Sequence, residues 1–509
     1  MKILKYHNSQ VKMDPFLFSV MLFILSVFLF NFMKPGSKKY SLPPSPSKFP
    51  FIGNLHQLVR GSPPQALSSL AQKHGSIMLL QLGSVPTLVV SSASIAKEVM
   101  KTQDHVFASR PNLKIPNRLL YGCDIAFSPY SDYWRQVKKF CVLQLLSTKR
   151  VQSFKAVREE EVGHMMEKVQ ESFVSSPEVN LSDMFTSLTN NIVCRVVLGR
   201  KYGRESKFKD ILREFSYLLG VSNVADFIPC LGWINRLNGL NARVERNFRQ
   251  LDSFLAEVVR EHIEKDTSGS GNVEEDFVDI LLRIEKDSNV GLLFTRENTK
   301  AIILDMFVAG TDTTSIILEW AMSELLRHPD IMKEAQKEVR NIGKGKLLLK
   351  QEDMEEMYIL KSVIKETLRL HPPLPLLVLR ESMMNVKLQG YDILAKTTVM
   401  INALAIGRDP MWWKEPENFQ PRRFLDGSCA SIDFKGQDFQ FIPFGAGRRG
   451  CPGILFATSI IEIALANLLN KYNWALPNGM DGRDLDMQEG SGISTHKKYD
   501  LVVVPEKLD

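Results

Sequence analysis

The sequence predicts a mainly α-helical protein with small β-sheets, and three observations predict it. Helical spacing of apolar residues recurs over Gln65 to Lys73, Ala93 to Thr102, Val151 to Phe173, Asn241 to Lys265 and Glu274 to Lys286. Strand-like runs are few and short: Ile77 to Gly83, Thr87 to Ser91, Val386 to Leu388 and Thr398 to Ile401. Thr295 to His328, ending before Pro329, reads as one helix about 50 Å long, enough to cross a domain. There is no internal repeat and no change of composition after Pro50, so a single large domain over residues 55–509 is expected.

Composition narrows the class. The 509 residues are 44% hydrophobic and 24% charged, which excludes a disordered chain. A net charge of +7 is mild at this length. It suits an acidic protein partner or an anionic membrane surface, and no nucleic-acid partner is expected. The six cysteines, Cys123, Cys141, Cys194, Cys230, Cys429 and Cys451, include no CxxC pair, so neither a disulfide framework nor a zinc ribbon is expected. No HExxH is present either.

Residues 1–14 read as a tail. Pro15 to Met33 carries no charge and spans about 30 Å as a helix, one bilayer core. It is longer than the apolar region of a signal peptide and runs into Lys34-Pro35-Gly36, so a retained single-pass anchor over 15–33 is expected. Lys2, Lys5 and Lys12 before it nearly balance Lys34, Lys38, Lys39 and Lys48 after it, with a lean towards a cytosolic body. Met13, directly before Asp14-Pro15, is a candidate start that would remove the three upstream lysines. Residues 34–54 form a basic, Pro-rich hinge. Four prolines between Leu42 and Asn54 enforce extended backbone, expected to act as a stiff spacer. Asp266 to Asn272 reads as a flexible linker.

Three constellations carry chemistry. The centre of the long helix reads Ala309-Gly310-Thr311-Asp312-Thr313-Thr314, residues that favour helix weakly and can bend it. Either something sits against the helix there, or a glycine and satisfied hydroxyls are tolerated; the stretch alone leaves both open. In the second, Glu366 and Arg369 lie one turn apart on a helix that Pro372 ends. Alone that is a surface ion pair worth under about 1 kcal/mol. The third, Phe444 to Gly453, contains a literal GxGxxG in Gly445, Gly447 and Gly450. A dinucleotide fold needs a following strand that ends in an acid about 20 positions on, and Asn473 to Pro477 supplies none.

The other reading of that loop centres on Cys451. Pro452 fits a first helical position, which would put Cys451 at a helix N-terminus that favours a thiolate. Gly445, Gly447, Gly450 and Gly453 let backbone approach a flat ligand, and Arg448 and Arg449 offer donors to carboxylates. Such a thiolate fits a haem-iron ligand. A buried, inert cysteine in a glycine turn is the alternative.

Together these motifs resemble the cytochrome P450 family. Phe444 to Gly453 matches its FxxGxRxCxG haem loop, Ala309 to Thr314 its oxygen-activation helix motif, and Lys365 to Arg369 its ExxR, all in the family's order. Trp134, Pro421-Arg422-Arg423-Phe424, FASRP at 107–111, the anchor and the hinge agree, and they look like the plant microsomal A-type group, the 71 clan. The resemblance spans essentially the whole chain.

It implies the P450 fold and haem b (heme) with Cys451 as the axial thiolate. Thr313 and Asp312 would deliver protons to the activated oxygen, and Gly310 would open room for it. Glu366, Arg369 and Arg423 would form a structural triad. Trp134, Lys138, Arg380 and Arg449 would bind the propionates, with Phe444, Gly445 and Gly453 in the cofactor loop. Substrate contacts would come from Leu119, Leu120, Ile125, Met306, Phe307, Ala309, Leu376, Leu377, Val378 and Ile493. NADPH and flavins would act only through a partner NADPH-cytochrome P450 reductase, with cytochrome b5 as a second partner. Arg135, Lys138, Lys139 and Arg448 would contribute to its docking face. The implied place is the endoplasmic reticulum membrane, with the body cytosolic.

The implied reaction inserts one oxygen atom from O2 into a small lipophilic plant metabolite. A related enzyme catalysing dehydration, desaturation or isomerisation is the alternative. The sequence departs from the family where Lys138 replaces the arginine after Trp134, where Arg422 replaces a glutamate, and where Leu379 precedes Arg380 in place of proline. Lysine keeps the charge but lacks the bidentate fork.

Overall fold

The computed structural model describes Ser19 and residues 40–506, except 60, 176–177, 202–205, 268–274, 287–293 and 491. The expected tail and anchor therefore lie outside the described residues apart from Ser19, as does most of the expected linker.

The long helix forms as expected, over Arg296–Arg327. It starts where Asn298 Oδ1 accepts the Thr295 amide at 2.6 Å, which satisfies an N-terminal donor. It stops where His328, ahead of Pro329, leaves helical geometry at φ −124°. It packs most extensively against Leu181–Leu198 and also against Ile454–Lys471, Tyr358–Leu370 and Phe277–Lys286. The Leu181–Leu198 helix is capped by Asn180, which accepts the Asp183 amide at 3.0 Å, and is closed by left-handed Gly199. Arg296–Arg327 and Ile454–Lys471 are apolar and long enough to cross a bilayer, yet 67% and 72% of their apolar windows are buried inside the protein. Both are core helices, which explains why they are apolar all round.

The strands are β1 (Ile77–Leu82), β2 (Val85–Val90), β3 (Val179–Asn180), β4 (Arg380–Glu381), β5 (Val386–Leu388), β6 (Tyr391–Ile393), β7 (Thr398–Ile401), β8 (Asn473–Ala475) and β9 (Val502–Glu506). The main sheet runs β1-β2-β7-β4; a second runs β3-β9-β8, and β5-β6 is a hairpin. β7 lies parallel to β2, with Thr87 opposite Thr398, while β4 is antiparallel to β7. This pairing carries Arg380 to the cofactor loop.

Several boundaries differ from the periodicity. Val151 to Phe173 divides into Thr148–Ser153 and Lys155–Ser175, broken at buried Phe154. Ala93 to Thr102 widens to a π-helix over Glu98–Thr102. The helix expected from Glu274 begins at Phe277, because the Asp276 carboxylate accepts the Asp279 amide at 3.0 Å. The Pro-rich segment lies against the body: Pro44 O accepts the Leu79 amide of β1 at 2.8 Å, and Ser41 O accepts the Asp392 amide at 2.6 Å. Extended backbone without internal hydrogen bonds is free to make such contacts.

Candidate active site

The loop around Cys451 is shaped by glycine. Gly445 and Gly447 have φ of 66° and 67°, and a Cβ on Gly447 would lie 2.1 Å from Met100 O. No L side chain fits there. The Cys451 amide donates to Phe444 O at 2.9 Å and closes the loop. The helix that follows starts at Ile454 with Gly453 as N-cap, so Pro452 is not its first residue and Cys451 stands short of the helix end. The electrostatics follow. Burial pushes the Cys451 thiol above its ordinary value, against the opposing pull of the Gly453 amide and Lys138. The helix end does not by itself hold a thiolate; a bound metal does. The residue lies deep among protein atoms yet keeps open surface on one side. It borders a groove of about 810 Å³ lined by Lys138, Lys365, Asp433, Phe434, Leu455 and Glu462 together with the loop.

Inside the domain, the long helix is buried on both flanks but open in its middle. Ala309 is exposed, and Met306, Val308, Gly310, Asp312 and Thr313 are partly so. An open patch at the centre of a core helix borders a void. Thr313 Oγ1 donates to Ala309 O at 2.6 Å. The Thr311 and Thr314 hydroxyls are buried without a hydrogen-bond partner. Gly310 points its bare face at the neighbouring helix, where a Cβ would lie 3.0 Å from Val193 Cγ2. Close packing of the two helices is thus a reason for this glycine that the sequence did not disclose. Burial pushes the Asp312 carboxyl up, partly offset by the Ser216 hydroxyl and by His496. Such a carboxyl keeps a proton to higher pH than a solvated aspartate.

The expected propionate ligands gather into one buried cationic cluster. Arg449 donates to Ala108 O, Ile125 O and Ser128 O at 2.7, 3.1 and 2.6 Å, and lies 3.8 Å from the centre of the Trp134 ring. The Trp134 indole donates to Ile125 O at 2.9 Å. Arg380 donates to Asp104 Oδ1 at 3.0 Å and to Ala446 O at 2.8 Å. Lys138 donates to Gly450 O at 2.9 Å and to Arg448 O. Sequence reasoning missed two members. Arg110, from FASRP, donates to Val378 O, Leu379 O and Ala126 O at 2.5, 2.7 and 2.9 Å. Asp104 pairs with Arg380 and Arg448. FASRP was visible, but the burial of its arginine was not.

These cations press on one another. Burial, then Arg449 and Arg380, drives Arg110 well below its usual value. Burial, then Arg380, lowers Arg449 to about 9, and burial, then Arg449, lowers Lys138 to about 8. Asp124, one of the acids beside them, is itself pushed up by burial. Buried positive charge in excess calls for an anion. A cysteine with open surface, an open mid-helix patch and this cluster together fit a flat iron porphyrin with two carboxylates.

Behind the loop, Arg369 donates to both Glu366 oxygens at 2.8 and 2.7 Å, and Arg423 donates to Glu366 Oε1 at 3.0 Å. The expected triad residues therefore meet, and Arg369 and Glu366 are fully buried. Arg422, where the family has an acid, pairs with Glu334, so an ion pair forms with a partner the sequence did not indicate.

The expected substrate contacts divide. Leu119, Leu120, Ile125, Met306 and Phe307 share one hydrophobic cluster. Leu376 packs with Leu67, Met78 and Leu80, and Leu377 packs with Val399, Ile442 and Ala446. Ile493 adjoins Gly220, where a Cβ would lie 2.7 Å from the Ile493 nitrogen.

Comparison with known proteins supplies the class. The Cytochrome P450 family profile matches residues 43–503. The chain is 50% identical to cytochrome P450 736A117 of Prunus mume, over 94% of each chain. It is 50% identical to cytochrome P450 71A1 of Persea americana, over 89% of this chain and 91% of that one. It is 46% identical to strychnine-11-hydroxylase of Strychnos nux-vomica, over 95% of each. The chain belongs to the cytochrome P450 family, among its plant 71-clan members, and is a haem-thiolate monooxygenase.

Proposed function

We propose that this enzyme inserts one atom of O2 into a small lipophilic plant specialised metabolite: a terpenoid, a phenylpropanoid or coumarin, or an amino-acid-derived compound. Electrons come from NADPH through a separate reductase. The observation that carries this reading is the open patch at Met306, Val308, Ala309, Gly310, Asp312 and Thr313 in the middle of an otherwise buried helix; Phe307, Leu119, Leu120 and Ile125, buried in the same apolar cluster, would back the space beside it. Shape and apolar contact would hold the substrate there with few polar anchors.

Cys451 would hold the haem iron, and Arg449, Arg380, Arg110, Lys138 and Trp134 would hold its propionates. When bound, haem supplies the redox chemistry that activates dioxygen. The chain's own residues manage the protons. Asp312, whose carboxyl burial pushes up, would relay protons inside the domain, and Thr313 Oγ1, bonded to Ala309 O, would pass them on at the open patch. The exposed side chains of Arg135 and Lys139, with Lys138 in the groove beside Cys451, supply positive charge for an acidic reductase.

An exposed apolar surface supports placement on the endoplasmic reticulum membrane, with the anchor at 15–33. Phe51, Val59, Trp233 and Leu237 are 71%, 80%, 59% and 76% exposed. Their segments adjoin, since the Gly83 amide donates to Ile52 O at 3.2 Å and the Ser84 amide to Phe227 O at 2.7 Å. The test is reconstitution with a plant reductase in lipid vesicles, NADPH and isotopically labelled O2, screened over apolar metabolites of the three classes. One labelled oxygen in a product supports the reading; products without label in every case would refute it.

A further inference from the structure

The segment from Tyr121 to Ser128 is bonded to the long helix at Asp305, just ahead of the open patch, and has no regular secondary structure of its own. It departs from ordinary backbone geometry at Tyr121 and Gly122, with φ of 59° and 66°. Such a segment stays put only if its surroundings over-determine it. Beside the bonds of Arg110 and Arg449 to Ala126 O and Ser128 O, three ties run to the long helix, directly or through one side chain, at alternate residues. Tyr121 donates its hydroxyl to Asp252 at 2.7 Å, and Lys300 of the long helix holds the same Asp252 oxygen at 2.5 Å. Cys123 O accepts from the Tyr133 hydroxyl at 2.7 Å, which in turn accepts from Asn298 at 2.7 Å. Ile125 donates its amide directly to Asp305 Oδ2 at 2.6 Å.

The third tie differs from the others. Asp305 and Ile125 are 7% and 8% exposed, so water cannot replace the bond. The same residue also accepts, through Ile125 O, from Trp134 and Arg449. One residue thus joins the long helix, the helix bearing Trp134 and the Cys451 loop. Asp305 lies about two turns before Asp312 on the same helix.

We infer that Asp305 is a positioning residue: by holding the Ile125 amide it fixes the 121–128 segment as a rigid wall of the substrate space, and so sets which bulky ligands fit. The inference rests on the reading that Ile125 faces that space. Burial pushes the Asp305 carboxyl up, with Asp124 adding to the shift, and the Ile125 and Ala126 amides oppose it. The residue therefore belongs to the wall more than to the solvated charge of the protein.

The test compares the haem-loaded full chain with Asp305→Ala and Asp305→Asn. Asparagine keeps an acceptor oxygen; alanine does not. Hydrogen–deuterium exchange over 119–128 should rise at least about tenfold in Asp305→Ala and return close to the parent in Asp305→Asn. Affinity for a bulky azole, 1-(biphenylmethyl)imidazole, should fall several-fold in Asp305→Ala, while affinity for imidazole itself, too small to reach the wall, should not change. Unchanged exchange, equal losses for both azoles, or no rescue by asparagine would each overturn the inference. Should Asp305→Ala not fold, exchange in the parent decides: Ile125 must be among the slowest amides of the segment, and fast exchange there refutes the tie. Exchange does not depend on the enzyme's chemistry, so a failure of the monooxygenase reading would show separately, in the spectrum of the haem.

Discussion

Replacing Arg369 with lysine should be among the most damaging single changes outside the cofactor loop, and the structure gives its size. Arg369 makes five hydrogen bonds: two to Glu366, and one each to Gly407 O, Pro416 O and Asn418 O at 2.7, 2.6 and 3.1 Å. Its side chain and that of Glu366 are fully buried. A lysine ammonium has three donors, so at least two of these bonds go unmade. A buried acceptor left bare costs about 1–3 kcal/mol; Pro416 O and Asn418 O are only part-buried, and Asn418 O also accepts from Arg423, so the loss lies at the low end, about 2–3 kcal/mol in all. That is a large part of a usual folding free energy of about 5–15 kcal/mol. The control is Glu334→Gln. It breaks the Arg422 pair, whose arginine side chain is 69% exposed, and should cost under about 1 kcal/mol. Urea denaturation of the detergent-solubilised full chain, followed by tryptophan fluorescence, reads both. If Arg369→Lys moved the midpoint no more than Glu334→Gln, the accounting of buried acceptors would be wrong.

Other outcomes follow from the same geometry. Thr313→Ala removes the hydroxyl at the open patch; product formed per NADPH should fall about tenfold with haem binding intact, and unchanged coupling would remove Thr313 from the proton path. Burial raises Glu462 to about 7, opposed by Lys361. Its unfolded value is about 4.3, so the folded state holds the proton more tightly, and stability falls as pH rises between these values. Glu462→Gln should therefore be neutral at pH ~4 and stabilising by about 1–2 kcal/mol at pH ~8 in denaturant titrations; equal effects at both would contradict the burial argument. Gly447→Ala must place its Cβ 2.1 Å from Met100 O at a φ of 67°, so haem content per purified chain should collapse, and normal content would refute the loop geometry.

The long helix, the Glu366–Arg369 helix and the helix after Cys451 were legible because each carries local stop signals and sustained apolar spacing. The β2–β7 pairing was not: it joins residues far apart in sequence, and short strands such as Arg380–Glu381 have no periodicity to read. Within the site, motif residues were legible as types, but their partners were not. Nothing in FASRP announces that Arg110 is buried against the carbonyls of Val378 and Leu379, and Asp305 sits in the apolar run IILDMFV as an apparent exception. Pro452 misled, because proline at a first helical position is a statistical preference, whereas here Gly453 caps the helix one residue later. Gly310 was assigned to the oxygen by resemblance, while its bare face turns to Val193, a contact only the packed helices create.

The account turns on Cys451 as the haem ligand. The most direct measurement is the reduced, CO-bound difference spectrum of the purified full chain beside Cys451→Ser. The account predicts a strongly red-shifted Soret band, the mark of a cysteinate opposite CO, that disappears in the serine variant. A band at the position of a neutral-ligand haem in freshly folded protein, unchanged by Cys451→Ser, would contradict it.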